Sequence, residues 1–258
     1  MDQFHQDEVC CFTLADPHKD LIVGKGGVYK AWLSHSKAKL NAVAMYPSKH
    51  ILHISKTHNA LVFDHSLYKV DGAVISPLAY TSNHNYTCTC ITFQVEGEDN
   101  QFLFADWQDW STTFRGVSAS CKEIRIWGVK NNKLPYLSIP HETKRIEWTT
   151  LLVEWSNING NQGTYIINNK KESGNFTCQD VSFMASATLS IGGRIDETHL
   201  LKGAISSLEI YVGDKTVEDS VPDKLKDLIV SSQLIETKHE ENEEPPEKRK
   251  KMQPISDE

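Results

Sequence analysis

The fold is decided by residues 148–168, WTTLLVEWSNINGNQGTYIIN, and residues 187–211, ATLSIGGRIDETHLLKGAISSLEIY. In both stretches, apolar and polar residues alternate over short runs rich in β-branched and aromatic side chains, which is the pattern of β-strands with one buried face. Asn157–Asn161 and Gly192–Gly193 separate the runs and are typical of tight turns. The pattern predicts antiparallel strands joined by short turns.

The same alternation continues towards the N-terminus. Ile91–Val95, Gln101–Phe104 and Ile124–Trp127 follow it, and no helical pattern lies between them. Many short strands with regularly spaced turns indicate an all-β fold, in which two antiparallel sheets pack as a sandwich. We expect residues 1–50 to add strands to the same sandwich.

The order of these segments resembles that of a known superfamily. Trp148–Trp155 is followed by Gly163–Asn168, then by Ala187–Gly193 and Leu200–Tyr211. This order resembles the concanavalin A-like jelly-roll superfamily, in its laminin G-like and pentraxin-like branch. Residues 59–64 resemble the opening segment of that branch, with His65 where glycine is usual. The resemblance implies a laminin G-like jelly-roll domain over residues 51–213, which recognises ligands through the loops of one rim.

The C-terminal residues predict two further segments. Ser220 suits a helix N-cap and Pro222 an early helical position, and apolar residues follow at helical spacing. We therefore expect a short edge helix within residues 214–235. Residues 236–258 are rich in Glu, Pro and Lys and almost without apolar side chains, so this charged tail is expected to be disordered.

Charge and hydropathy restrict the partners. The chain has 258 residues and a formal net charge of −7, and the tail contributes −3 through eight acidic and five basic residues. A net negative chain lacks the lysine and arginine excess that drives phosphate-backbone binding, which argues against a nucleic-acid partner. No apolar run approaches the roughly 18 residues that a membrane-spanning helix needs, so no membrane span is expected.

Two kinds of signal indicate different compartments. The first ten residues lack the basic and apolar regions of a signal peptide, which predicts an intracellular protein. A basic run in the tail is a candidate nuclear signal, or simply part of a solubilising tail: Lys248, Arg249, Lys250 and Lys251. Asn85 and Asn175 begin two N-glycosylation triplets, which would be used if the chain is a piece of a longer, secreted protein.

The six cysteines show no metal-binding spacing. Cys88 and Cys90 share one face of a predicted strand, and no Cys-x-x-Cys pair occurs in the sequence. We expect buried or free thiols. In a secreted chain, a disulfide from Cys88 or Cys90 to Cys121 or Cys178 would be the first bridge to test.

The most unusual local cluster is Asp106-Trp107-Gln108-Asp109-Trp110. Its two indoles could stack on a sugar ring while the carboxylates accept hydrogen bonds from the hydroxyl groups. Alternatively, one indole belongs to the core and the other covers the sheet. The resemblance also implies a calcium site in rim loops, formed by Asp106, Asp109 and Asp180. No Asp-x-Asp-x-Asp array supports it, so we expect no cofactor, with calcium as the alternative.

Catalysis is not expected. Glycanases with the fold that this chain resembles place two carboxylates beside the scissile bond, and the nearest pair here is Glu96 and Glu98. Gly97 and Asn100 mark that segment as a hairpin turn. The sequence therefore favours a non-enzymatic module that binds a glycan or protein ligand. One alternative is a structural component of an intracellular or virus-like (mobile-element) assembly, since jelly rolls also build capsids. Another is a glycoside hydrolase that uses Glu96 and Glu98.

Overall fold

The computed structural model describes residues 6–14, 16–23, 25, 29–35, 42–44, 59–66, 68–70, 86–107, 115–130, 135–141, 148–156, 162–168, 172–178, 188–194 and 198–213, and the structural statements below concern these residues. The described residues all lie within one compact unit, Met1–Ser220, and residues 221–258 lie outside them. The edge helix, the charged tail and the predicted domain boundaries therefore stay predictions.

Sixteen β-strands and one short helix lie in the described part of the chain. In chain order they are β1 (Gln6–Thr13), α1 (Pro17–Asp20), β2 (Leu21–Val23), β3 (Tyr29–Trp32), β4 (Ala42–Ala44), β5 (Leu61–Ser66), β6 (Tyr68–Val70), β7 (Tyr86–Val95), β8 (Gln101–Trp107), β9 (Arg115–Ala119), β10 (Glu123–Trp127), β11 (Tyr136–Pro140), β12 (Thr149–Ser156), β13 (Gln162–Ile167), β14 (Glu172–Thr177), β15 (Thr188–Ile191) and β16 (Leu201–Gly213). The alternating runs identified in the sequence all fall on these strands. With four residues, α1 is far short of a membrane span.

The strands form two antiparallel sheets. The first sheet has seven strands in the order β1-β16-β7-β12-β13-β14, and β5 also pairs with β16. The second sheet has nine strands in the order β11-β10-β9-β8-β15-β6-β4-β3-β2. The predicted all-β sandwich of two antiparallel sheets is confirmed.

Alternate residues of the two sheets pack into one hydrophobic core. Its largest fully buried side chains are Trp32, Trp155, Phe12, Phe63, Phe93, Leu61, Ile91, Leu103 and Ile124. Both indoles also satisfy their N–H groups, since Trp155 Nε1 donates to Trp127 O at 3.1 Å and Trp32 Nε1 donates to Thr13 O at 3.1 Å. The core therefore buries large rings without leaving their polar atoms unpaired.

Strand β16 ties the first sheet together. It has 13 residues, pairs with β7 on one side, and pairs with both β5 and β1 on the other. Gly203 permits the close approach of β7, because a Cβ atom there would lie 2.1 Å from Gln94 O. The glycine in this closing strand is thus required by the backbone of its neighbour.

Helix α1 carries the chain from an edge of the first sheet to an edge of the second. Asp16 caps it by accepting a hydrogen bond from His18 N at 3.2 Å. Asp20 is 1% exposed and accepts hydrogen bonds from Asp16 N at 2.7 Å and from His35 Nε2 at 2.8 Å. Strands of the first fifty residues therefore contribute to both sheets.

Candidate functional site

The side chains of β10 divide between the core and the opposite side of the second sheet, which we call the outer face. Ile124 and Ile126 are fully buried in the core. Side chains alternate along a strand, so Glu123, Arg125 and Trp127 lie on the outer face. The register places Ser118 and Gly116 of β9 on one side of Arg125 and Trp127, and Ser138 and Tyr136 of β11 on the other. Neighbouring strands therefore bring aromatic and polar side chains together.

Three aromatic rings form a row across this face, which we call the aromatic row: Phe102, Trp127 and Tyr136. The ring centroids of Trp127 and Tyr136 are 4.7 Å apart, and those of Phe102 and Trp127 are 5.3 Å apart. Phe102 is 3% exposed, whereas Trp127 and Tyr136 are partly exposed. The row therefore offers two rings to a ligand and anchors them on a third, buried ring.

The indole of Trp127 extends across β9. It reaches the ring of Phe102 on β8, although β9 lies between β8 and β10. Small residues of β9 leave room for it, and Trp127 Nε1 donates to Ser118 Oγ at 2.9 Å. The indole is thus held by a hydrogen bond at its polar edge, which leaves its apolar surface for packing.

Beside the aromatic row lie four side chains that we call the polar row: Asn100, Glu123, Arg125 and Ser138. Glu123 accepts hydrogen bonds from Asn100 Nδ2 at 2.8 Å, from Arg125 Nη2 and from Ser138 Oγ. Burial acts to raise the pKa of the Glu123 carboxyl, but the hydrogen bonds from Ser138, Arg125 and Asn100 outweigh it and lower the pKa. Glu123 is therefore a carboxylate at neutral pH.

Arg125 links the two rows. Its guanidinium forms an ion pair with Glu123 and lies 4.7 Å from the centroid of the Tyr136 ring. Its planar group fits both contacts, since arginine combines directional hydrogen bonds with stacking on aromatic faces. The position of Arg125 is therefore fixed from two sides.

The segment before β16 borders the aromatic row. His199 is exposed, with a φ of 52°, in the left-handed region where residues other than glycine are uncommon. Its ring lies 6.1 Å from Phe102, and its Nδ1 is 3.1 Å from Asn100 O. Arg194 is 8% exposed, and its guanidinium lies 5.9 Å from the centroid of Phe102. This end of the row is thus enclosed by a histidine and a buried arginine.

The site predicted from the sequence is only partly described. Asp106 and Trp107 are the last two residues of β8, so Asp106 belongs to a strand and not to the rim loop in which the calcium prediction placed it. Asp109, Trp110 and Asp180 lie outside the described residues. No three His, Cys, Asp or Glu side chains among the described residues lie together as a metal site would require. The rim site and the calcium site stay predictions.

The two carboxylates considered for catalysis lie in and beside the turn between β7 and β8. Glu98 pairs with Lys122 at 2.7 Å, and Glu96 lies 3.9 Å from Lys202. The hydrogen bond and charge of Lys122 lower the pKa of Glu98, whereas a glycosidase acid needs a raised pKa. Next to this turn is a cavity of about 400 Å³, lined by Val95, Glu96, Gly97, Cys121 and Lys202.

Four of the six thiols are described, and all four are free: Cys88, Cys90, Cys121 and Cys178. Cys121 is partly exposed and the other three are buried. Burial, reinforced by the charge of Glu209, raises the pKa of Cys90 to about 12, and burial raises that of Cys178 to about 11. Among these four, the expectation of buried or free thiols is met.

The modification and targeting predictions fall on different parts of the chain. Asn175 is exposed on β14, as is Thr177, while Phe176 between them is buried. The exposed carboxamide of Asn175 therefore leaves room for an attached glycan. Asn85 and the basic run of residues 248–251 lie outside the described residues.

The sequence contained part of the signal for the outer face. The alternation Ile124-Arg125-Ile126-Trp127 predicts a strand with Arg125 and Trp127 on the same side. The partners of these residues come from other strands, and sequence spacing alone does not pair β10 with β11 or place Phe102 two strands away. From the sequence alone, the binding site is therefore predicted at the local cluster around Trp107 and Trp110.

No family model matches the chain, and no curated protein matches it. Among solved structures, the sialidase of Trypanosoma rangeli in complex with 2,3-difluorosialic acid has a TM-score of 0.55 at 9% identity, covering 88% of this chain and 33% of that one. Domain 4 of the arabinanase AbnA from Geobacillus stearothermophilus, in complex with arabinotriose, has a TM-score of 0.44 at 16% identity, covering 82% and 95%.

A third similar structure is the CBM40 of Ruminococcus gnavus IT-sialidase bound to α2,3-sialyllactose, with a TM-score of 0.43 at 13% identity, covering 57% and 82%. This chain spans about a third of the length of the Trypanosoma rangeli sialidase that it matches. What the chain shares with that sialidase, at 9% identity, is a β-sandwich fold over part of its length.

Proposed function

We propose that the chain is a non-enzymatic recognition module, a laminin G-like sandwich that binds glycans on the outer face of the second sheet. The observation that carries this proposal is the cross-strand pair of Trp127 and Tyr136, whose partly exposed rings lie beside the polar row. A protein ligand is the competing possibility for the same face.

The chemistry of a sugar matches that of this face. A sugar ring has an apolar side made of C–H groups and an edge made of hydroxyl groups. The indole of Trp127 offers an apolar plane, and Arg125, Glu123 and Ser138 offer donors and acceptors in the next cross-strand row. Binding sites of this kind combine aromatic surface with a few fixed polar groups.

The same groups are unsuited to hydrolysis of a glycoside. A general acid for that reaction needs a raised pKa so that it holds a proton at neutral pH. Glu123 and Glu98 both have lowered pKa values because hydrogen-bond donors surround the first and Lys122 pairs with the second. These carboxylates therefore favour binding over catalysis.

The decisive experiment compares two tryptophan variants of the full chain on a glycan array, followed by titration of the glycans that bind. Trp127→Ala is expected to weaken binding by about tenfold or more, because it removes the stacking surface. Trp110→Ala is the matched variant, since it removes an indole from the predicted rim site and should leave the affinity unchanged.

Because Trp127 also packs on Phe102, the thermal unfolding of each variant must be measured. Tyr136→Leu is a second variant that keeps apolar packing but removes the aromatic plane, and it should also weaken binding. Loss of binding in Trp110→Ala, with none in Trp127→Ala or Tyr136→Leu, would move the site to the rim. A folded protein that captures no glycan would overturn the proposal.

A further inference from the structure

We infer that the outer face selects neutral glycans. Arg125 and Glu123, as an ion pair, would form hydrogen bonds with two hydroxyl groups on adjacent sugar carbons. This inference rests on the proposed function and names the class of ligand for that same face.

The ion pair has no net charge to offer an anion. The side chains of Arg125 and Glu123 are 27% and 23% exposed, so a ligand meets both of them together. A carboxylate or sulfate would face Glu123 while it approached Arg125. On the N–H groups of Arg125 that Glu123 does not use, the anion would lie beside the Glu123 carboxylate, and like charges placed side by side repel.

Other cations near the face are already engaged or buried. Lys122 pairs with Glu98 at 2.7 Å, and Lys202 lies 3.9 Å from Glu96. The guanidinium of Arg194 lies over the buried ring of Phe102, and this residue is 8% exposed. His199 is exposed and lies beside Phe102. Lys122 and Lys202 are 63% and 50% exposed, but a carboxylate lies beside each of them, so neither offers an uncompensated positive charge to an anionic sugar.

Hydroxyl groups fit the pair without breaking it. A hydroxyl group both donates and accepts, so one hydroxyl accepts from the guanidinium while its neighbour donates to the carboxylate. Hydrogen bonds to charged partners are the stronger kind, and a donor and an acceptor side by side add geometric selection.

Geometry also fixes the pair relative to the stacking surface. Arg125 lies over Tyr136, and Tyr136 lies against Trp127, so the ion pair is held at the edge of the two partly exposed rings. A sugar stacked on the indole would present its hydroxyl edge towards the pair. Ser138, which is exposed and bonded to Glu123, would extend the same edge.

The test titrates the full chain with two matched sets of oligosaccharides, one neutral and one sialylated or sulfated. The wild-type chain should bind the neutral set at least about tenfold more tightly. Glu123→Gln keeps the size of the side chain but leaves Arg125 without a counter-charge. This variant should lose about tenfold for neutral ligands and gain affinity for the anionic set.

Asp16→Asn is the matched control, because it removes a carboxylate from an ion pair at α1, next to β2 at the edge of the second sheet opposite β11, and should change neither affinity; asparagine also caps a helix well. If Glu123→Gln unfolds, Ser138→Ala is a smaller change in the same polar row. It should weaken the binding of neutral oligosaccharides and leave that of the anionic set unchanged. A wild-type preference for anionic glycans that disappears in Arg125→Met would overturn this inference. It would leave the proposed function intact, provided that Trp127→Ala still weakens binding. Failure of both sets to bind the folded chain would instead reject the proposed function.

Discussion

Glu123 joins three parts of the second sheet through one carboxylate. It accepts a hydrogen bond from Asn100 before β8, from Arg125 on its own strand, and from Ser138 on β11. Charge-assisted hydrogen bonds of this kind are roughly twice as strong as neutral ones, so they restrict several side chains at once. The order of the polar row, on which the proposed selectivity rests, therefore depends largely on a single residue.

Thiol chemistry gives a prediction at the level of single residues. Alkylating reagents near neutral pH are expected to modify Cys121 well before Cys88, Cys90 and Cys178. Burial blocks access to those three thiols, and the reactive thiolate is disfavoured in Cys90, whose pKa is raised to about 12. Peptide mapping by mass spectrometry, with and without denaturant, measures the order. Rapid labelling of Cys90 in native buffer would show that the first sheet opens.

The raised pKa of Cys90 also sets the direction of a pH effect. Folding favours the protonated thiol, so this contribution to stability is complete below the unfolded pKa of 9.0 and is lost as pH rises towards about 12. The free energy of unfolding should therefore fall over this alkaline range, and Cys90→Ala should remove part of that fall. Denaturant titrations of both chains at several pH values provide the comparison.

At the level of elements, the approach of β9 to β8 supports the candidate site. The two strands pair with a register shift between Phe102 and Phe104, and Gly116 lies opposite Ala105 on one side and Trp127 on the other. A Cβ atom at Gly116 would lie 2.5 Å from Phe104 O. Gly116 therefore allows β9 to approach β8 closely, and it also leaves space beside the indole of Trp127.

Substitution of this glycine tests the approach of the two strands. Gly116→Ala is expected to cost about 1–3 kcal/mol in the free energy of unfolding, because the obstructing atom belongs to the backbone of β8. Gly174→Ala is the matched variant on β14, where a Cβ atom would meet the outer end of the Tyr165 side chain, which can move. Urea titrations should rank Gly116→Ala as the less stable. The reverse order would mean that β8 and β9 can separate without cost.

The predictability of these elements differs for physical reasons. The alternation in residues 91–95, 124–127 and 204–212 located strands because one face of each packs in the core, which is a local property of the sequence. The polar row joins residues 100, 123 and 138, which approach only through the turn before β8 and the pairing of β10 with β11. Register and strand order depend on the whole sheet, and local periodicity does not contain them.

The two sheets of the whole molecule present different outer surfaces. On the first sheet, Cys88, Cys90, Glu154, Glu209 and Tyr211 point away from the core but are all less than 10% exposed. On the second, Trp127 and Tyr136 remain partly exposed beside charged groups. Asn175 lies on β14, an edge strand of the first sheet. A glycan attached there would therefore be carried by the sheet that does not bear the candidate site.

The nuclear signal at residues 248–251 and the N-glycosylation triplet at Asn175 would be used in different compartments of the cell. The charged tail allows the nuclear signal to be tested separately. A reporter fused to residues 236–258 is expected to accumulate in the nucleus, because the four consecutive basic residues 248–251 are a sequence signal typical of nuclear import. Replacing these four residues with alanine should abolish accumulation. Alanine at Glu240, Glu241, Glu243 and Glu244 is the matched change, since it makes the tail more basic overall but leaves the run intact.

Nuclear accumulation in the matched variant and its loss in the first variant would assign the signal to the run itself. Accumulation that follows net charge alone, or no accumulation in any fusion, would contradict a specific signal and leave the run as part of a solubilising tail. The result also bears on Asn175, because N-glycosylation occurs only on the secretory route. A protein imported into the nucleus would keep that side chain unmodified, and mass analysis of Asn175 in the full chain expressed in the same cells checks this consequence independently.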